Sequence, residues 1–486
     1  MHQTKPILVR LAGILAKSSG SPRSLQRLTL VCSALLVQLL ISGCLSDDQI
    51  NSSLQCDNCN LIIVSVDTLR ADRLSAYGYE RTTSPFLDGL ATQGYLFEDF
   101  FHNGGGTLPS HLTMLTSLSP ITHGSNPRNP IPLSPNADTL AEVLKTHGYA
   151  TFGITDGGWM DAKFGFDRGF DRFHVKDNQH LANSMPRFKE WINQTREKPF
   201  FGFLHTYDVH SKPTGIPYGC PSEGLPSFSD WYQGPFEGCI DGKCASRLLG
   251  WVNAQVKEAQ ADPVELLGEQ VVQYLSDRYD ECIAYVDSQL AELVEFLESD
   301  GRWSNTILVV TSDHGEEFLD HGMLLHDQGG YQELSKIPLI IRVPGGKGHR
   351  VEGLSAMIDV VPTLLELLGL EELPQAEGQS LVPSMRDERP TGRRFVHMYS
   401  VLRSSRWLFF RNLDRLFDSV ADPAERVNLY DANPDLVGRL TAAVNQIVKH
   451  DRAHRERLQS GNAENLGPVE LNPAEIEALK SLGYLN

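Results

Sequence analysis

The chain has 486 residues, 41% hydrophobic and 21% charged, which is the composition of an ordinary globular protein. That composition excludes a mostly disordered chain, and the 41 Gly fall into no collagen-like triplet. Against 43 Lys and Arg stand 61 Asp and Glu, a net charge of −18, which excludes non-specific nucleic-acid binding, since that needs cations on phosphates.

The first 43 residues carry Lys5, Arg10, Lys17, Arg23 and Arg27, no acidic residue, and an apolar stretch, 28–41, that is short for a bilayer span. A basic region, an apolar region and small residues mark an export signal. Ile41-Ser42-Gly43-Cys44 resembles a bacterial lipobox, in which the Cys is acylated and becomes the new N-terminus. The expected mature chain is extracytoplasmic and lipid-anchored at Cys44 to a bacterial membrane. Leu45 is similar to the outer-membrane sorting pattern. Loss of the five leader cations leaves −23. Residues 44–60 read as the lipidated Cys and a polar tether. Cys56 and Cys59 are expected to clip a small loop, because an exported compartment permits disulfides.

Continuous apolar runs at 61–66, 151–154, 199–204, 306–310 and 338–343 predict strands buried on both faces. Helical patterns separate them. Over 271–298 the apolar positions Val272, Leu275, Tyr279, Ile283, Val286, Leu290, Leu293 and Leu297 keep a three/four spacing. Shorter helices are expected at 139–144 and 358–368. Strands alternating with helices predict an α/β fold with a large, mostly parallel sheet flanked by helices, occupying 61–371. Residues 211–262, rich in Gly, Pro, Ser and Cys, read as an insertion, and a local bridge is expected among Cys220, Cys239 and Cys244. Short strands at 395–400, 405–410 and 415–418 and a helix at 435–458 predict a small C-terminal α+β domain over 372–486.

Polar residues gather just after the apolar runs: Asp67, then His205 with Asp208 and His210, then Asp313-His314. In open α/β sheets ligands bind outside the carboxyl ends of the strands, and Asp and His ligate divalent metals and transfer protons. Three such clusters therefore predict one metal or catalytic site. Gly104-Gly105-Gly106-Thr107-Leu108-Pro109-Ser110-His111 runs into a helical pattern. It would place the Thr107 hydroxyl at a helix N-terminus, where free N–H groups favour an anion.

The ordered segments NLIIVSVDTLRADRLSAYGY, TLPSHLTMLTSLSPITHG, YDVHSKP, YVDSQL, SDHGEEFLDHG and IPLIIRVPGG resemble the sulfatase family of the alkaline phosphatase superfamily. SAMIDVVPTLLELLGL and LFDSVADPAERVNLYD are similar to its C-terminal signatures. The resemblance covers about 61–432. It implies a sulfatase-like fold, with Asp67, Thr107, Asp313 and His314 as metal ligands and Thr107 at the nucleophile position. It also implies that His111 and His123 lie near the bound ester, that His210 contacts the leaving group or anion, and that His326 stands where many sulfatases place a Lys. His205 and Asp208 are expected to support substrate binding.

Three departures shape the expected chemistry. Sulfatases oxidise Cys or Ser in C/S-x-P-S-R to formylglycine. Thr107 is a secondary alcohol that oxidation would turn into a ketone, so formylglycine is not expected. His111 replaces the Arg of that motif. Thr68 stands where many sulfatases have a second Asp ligand. The resemblance implies Ca²⁺ as the single divalent ion, whereas two carboxylates, an imidazole and a hydroxyl also suit Zn²⁺ or Mn²⁺. The expected function is metal-dependent hydrolysis of a small-molecule or glycan sulfate or phosphate ester, with Thr107 as nucleophile. Two alternatives keep the same residues: a phosphotransferase moving a headgroup to an envelope lipid or glycan, and a catalytically silent binder of sulfated or phosphorylated glycans.

Overall fold

The computed structural model describes residues 54–176, 180–211, 218–221, 223–234, 252–256, 262–326, 329–460 and 467–481. The leader, Cys44 and most of the 211–262 insertion, with Cys239 and Cys244, lie outside them. Among the described residues no helix is long and apolar enough to cross a membrane.

The large sheet has eight strands, taken here in chain order: β1 (Asn60–Val66), β2 (Tyr95–Phe101), β3 (Ala150–Thr155), β4 (Arg172–Val175), β5 (Phe200–Thr206), β6 (Thr306–Thr311), β7 (Leu339–Arg342) and β8 (His349–Ala356). Their spatial order is β8-β2-β7-β6-β1-β5-β3-β4. Every pairing is parallel except the two made by β7, which runs against β2 and β6. β1 reads as unbroken apolar sequence because both of its faces are covered. Leu61 and Ile63 enter one hydrophobic layer with Leu108, Leu112 and Leu364. Ile62, Val64 and Val66 enter the other with Leu275, Ile283 and Leu290. This is the period-two alternation of a strand between two helical layers.

Four helices matter most for the site: α1 (Thr107–Thr116), α2 (Leu181–Asn193), α3 (Glu269–Ser299) and α4 (Pro434–Gln459). α3 buries Leu275, Tyr279, Ile283, Val286, Leu290, Leu293 and Leu297, seven of the positions its spacing marked. The helix expected at 139–144 runs Leu140–Thr146, capped by Thr139, whose side chain accepts from Glu142 N while Glu142 returns a bond to the Thr139 backbone.

Four antiparallel strands follow in the C-terminal region: β9 (Val396–Met398), β10 (Val401–Arg403), β11 (Trp407–Phe410) and β12 (Arg415–Asp418). α4 packs on this sheet through Leu440 and Val444 against Leu402, Phe409 and Leu416. Arg403, 2% exposed, pairs with the buried Glu425 at 2.8 Å and donates to Gly330 O at 2.9 Å. That bond holds the loop after His326 to the small sheet.

Two disulfides join cysteines among the described residues. Cys56–Cys59 clips a three-residue step, as expected. Cys220 pairs with Cys282, 62 residues on and inside α3, so it takes no part in a local bridge; Cys239 and Cys244 lie outside the described residues. The bridge ties the start of the insertion to a core helix.

Candidate active site

β1 is central, and its neighbours fix the site. Ser65 pairs with His205 of β5 and with Thr311 of β6. Asp67, His205 and the Ser312-Asp313-His314 segment therefore emerge at the same sheet edge, the carboxyl end of parallel strands. α1 brings the fourth component. A Cβ on Gly104 would lie 2.3 Å from Ser110 N, so only glycine permits the turn to close on the helix. Gly106 has φ 147°, in the region that favours glycine. The helix then begins at Thr107, which is fully buried. Its Oγ1 lies 3.2 Å from Asp67 Oδ2 and 3.3 Å from His314 Nε2.

Hydrogen bonds on the far sides of the rings set the histidine tautomers. His314 Nδ1 donates to Gly315 O at 2.9 Å, so Nε2 presents a lone pair toward Thr107, 3.4 Å from Asp313 Oδ2. His205 Nδ1 accepts from Asp156 N at 3.4 Å, so its Nε2–H donates to Asp67 Oδ2 at 3.2 Å. His111 Nδ1 donates to Thr107 O at 2.9 Å, and its Nε2 accepts from Ser65 Oγ at 2.8 Å. His111 therefore binds the first turn of α1 to β1. It holds the Thr107 backbone through a hydrogen bond.

The donor set fits a divalent cation. Ligand atoms of Asp67, Asp313 and His314 lie within 4.8 Å of one another, and all three residues are buried. Asp313 Oδ2 and Thr68 Oγ1 are buried with no hydrogen-bond partner among the described residues. Two buried carboxylates so close repel each other unless a cation or a proton separates them. Accordingly, burial and the Asp313 charge push the Asp67 carboxyl well above its ordinary value. Asp313, which burial alone would raise, is held below its ordinary value by His314 and His111. Thr68 occupies the left-handed region at φ 60°, an unusual place for a β-branched residue. Its N–H donates to Asp313 Oδ1 at 3.2 Å, and its C=O accepts from Tyr279 Oη at 2.7 Å.

The remaining side of the site is imidazole. His210 donates from Nδ1 to Ser211 O at 2.8 Å and directs Nε2 toward Asp67 Oδ1, 4.0 Å away. The His326 ring lies 4.6 Å from that of His314 and 4.8 Å from that of His210, and its Nδ1 is 3.3 Å from Glu316 Oε1. Burial pushes the Glu316 carboxyl up to about 8 and the His205 and His210 imidazoles well down.

His123 and Asp208 direct their hydrogen bonds away from the Asp67–Thr107 cluster. His123 donates from Nε2 to Pro109 O at 3.2 Å and accepts at Nδ1 from Ser125 N at 3.2 Å. One nitrogen serves the first turn of α1 and the other the turn after His123, and burial pushes the ring down to about 3. Asp208 turns to the start of α2, accepting from Leu181 N at 2.7 Å, Thr206 Oγ1 at 2.8 Å and His180 Nδ1 at 2.7 Å. Ser65, Asp156 and Glu316 belong to the site but were not singled out in the sequence. Glu316 alone had a signal, two residues beyond His314 in SDHGEEF.

The sulfatase family profile matches residues 59–370. The chain belongs to the sulfatase family. It is 22% identical over 481 residues to an arylsulfatase of Clostridium perfringens, covering 83% of this chain and 96% of that one. The phosphonate monoester hydrolase of Agrobacterium radiobacter has a TM-score of 0.61 at 21% identity, covering 85% of this chain and all of its own. A 2-O GAG sulfatase has a TM-score of 0.64 at 18% identity, covering 86% and 100% of the two chains. At these identities the two structures establish the shared fold.

Proposed function

We propose that the protein is a metal-dependent hydrolase of sulfate or phosphate esters in which the Thr107 hydroxyl is the nucleophile. One observation carries the reading. Thr107 Oγ1 is fixed at a helix start, within hydrogen-bond reach of Asp67 and His314 and beside the buried Asp313 carboxylate. Asp67, Asp313 and His314, with Thr107 itself, would hold one divalent ion. When bound, it lowers the hydroxyl pKa and neutralises the attacked anion.

This chain's own residues supply the rest. His205 fixes the Asp67 carboxylate, and His111 fixes the Thr107 backbone, so the hydroxyl stands oriented before substrate arrives. Thr107 Oγ1 forms a bond to sulfur or phosphorus as the bond to the leaving oxygen breaks. The Thr107 hydroxyl proton is given up toward Asp67 Oδ2, 3.2 Å away, and His210, neutral because burial pushes its imidazole down, accepts it at Nε2 and passes it to the leaving oxygen. Water then attacks the covalent ester at sulfur or phosphorus and frees Thr107. A threonine has one hydroxyl, so it lacks the second hydroxyl by which a formylglycine hydrate expels sulfate. Release by attack at the central atom suits phosphorus best, and phosphate esters are therefore favoured over sulfate esters. The named neighbours include both chemistries, a phosphonate monoester hydrolase and a 2-O GAG sulfatase.

The same reading tethers the enzyme outside the cytoplasm through Cys44, a placement supported by the two disulfides among the described residues. Incorporation of labelled palmitate that is lost in Cys44→Ala tests the anchor.

The activity test is hydrolysis of aryl sulfate, aryl phosphate and aryl phosphodiester by purified 45–486 with Ca²⁺, Mn²⁺ or Zn²⁺. The expected result is metal-dependent phosphoester turnover that vanishes in Thr107→Ala. Turnover surviving that substitution would assign the attack to another nucleophile.

A further inference from the structure

Next to the glycine turn lies an open cavity of about 560 Å³, within the range of ligand pockets. Gly105, Arg128, Tyr399, Arg411, Asn412 and Arg452 are among its lining residues, and none of the lining residues is acidic. This is unexpected in a chain of net charge −18. The three arginines come from separate elements. Arg128 sits in the turn closed by Asn126 and Asn129, whose backbones pair at 3.2 and 3.0 Å. Arg411 follows β11, and its N–H is bound to Ser400 O at 3.0 Å. Arg452 lies on α4.

No carboxylate among the described residues neutralises them. Arg411 donates to the neutral amide of Asn445 at 2.9 Å. Asp451, the acid beside Arg452 in sequence, points inward and accepts from Ser119 Oγ at 2.7 Å. Tyr399, in the same wall, holds φ 54°, unusual for a bulky side chain, and its buried Oη has no hydrogen-bond partner among the described residues. Gly105 is two residues before Thr107, so their Cα atoms are at most about 7 Å apart. A group bound in the cavity can therefore belong to the molecule whose ester reaches Thr107.

We infer that this cavity is a second anion subsite, and that the substrate is a saccharide carrying a further sulfate, phosphate or carboxylate beside the scissile ester. The substrate assignment rests on the hydrolase reading above, whereas the anion site rests on the cavity alone. Guanidinium groups bind tetrahedral and planar anions through paired N–H donors. The hydroxyl and amide groups of Ser400, Asn412 and Asn126 match sugar hydroxyls.

The test is calorimetric titration of Thr107→Ala 45–486 with a heparin-derived tetrasaccharide, a neutral dextran tetrasaccharide, inorganic sulfate and inorganic phosphate. The heparin fragment should bind with an affinity that falls as salt rises, and the dextran fragment should not bind. Inorganic sulfate or phosphate should bind far more weakly. Replacing both Arg411 and Arg452 by Gln should weaken the heparin fragment roughly tenfold or more, and replacing both by Lys should restore part of the loss. The melting temperature of each variant controls for folding. Equal affinity in the native-like double Gln variant, or equal binding of dextran, would overturn the subsite. Arginine-dependent binding by an enzyme that hydrolyses no ester would leave the subsite standing and overturn the hydrolase reading.

Discussion

Asp67 and Asp313 give the account its most quantitative consequence. Their ligand atoms lie within 4.8 Å, so two full charges there would repel by at least about 3 kcal/mol at an effective dielectric of about 20. Without a cation the pair keeps one proton, in accord with the raised Asp67 carboxyl. A divalent ion replaces that proton and stabilises the folded state by mass action, about 2.7 kcal/mol at a hundred times its Kd. In a chain this large, each kcal/mol shifts the melting temperature by about 2 °C or less, so chelation should lower Tm by roughly 3–5 °C. Asp313→Asn removes a ligand and the repulsion together. Its metal-free form should melt no lower than the metal-free wild type, and added metal should shift it by less than about 1 °C. Differential scanning calorimetry with and without EDTA reads both effects. A full metal shift retained in Asp313→Asn would refute the reasoning. It would move the cation to another cluster, such as Glu317–His321–Glu333 or Glu377–His450–Asp451.

Three further outcomes follow from the packing. Breaking the Cys220–Cys282 bridge with Ser at both positions opens a loop spanning 62 residues, which costs about 4 kcal/mol by chain entropy and should expose the insertion to limited proteolysis. Glu425→Gln strands the buried Arg403 charge and should destabilise the protein by roughly 3 kcal/mol in denaturant titration, whereas replacing both by apolar residues should cost less. Glu317 is pushed up to about 8 by burial and by the neighbouring Glu333. The stability linked to its proton is complete below its ordinary range near 4.5 and is lost as pH rises through about 8. Wild type should therefore lose a few kcal/mol between pH 5 and 9 that Glu317→Gln retains, as read from Tm across that range.

The parts legible in the sequence are those that burial writes into composition. β1, β5 and β6 are covered on both faces, so they read as apolar runs, and the Asp and His residues at their ends mark the sheet edge. α3 shows its spacing because a single long face is buried. β2 was not visible: Glu98 and Asp99 are only half-buried and interrupt YLFEDFF. β8 alternates exposed and buried residues around Gly353 and carries no apolar run. The reversal of β7 leaves no trace in residue pattern, since strand direction depends on the connection between strands. Asp208 and His123 stand near the reactive residues in sequence, but hydrogen bonding turns one toward α2 and the other into the backbone around Pro109. No spacing rule reports such rotations. Cys282 lies inside the α3 pattern, 62 residues from Cys220, a separation that no local spacing rule pairs.

The central claim is that Thr107 carries the transferred group. Wild-type 45–486 should be quenched in acid during turnover of an aryl phosphate and of an aryl sulfate, digested, and examined by mass spectrometry across the peptide containing Gly104–Leu118. The account predicts a phosphoryl or sulfuryl ester on the Thr107 hydroxyl that appears with substrate, requires the divalent ion, and is absent in Thr107→Ala. Turnover with Thr107 unmodified, together with undiminished activity in Thr107→Ala, would contradict it and assign the attack to water.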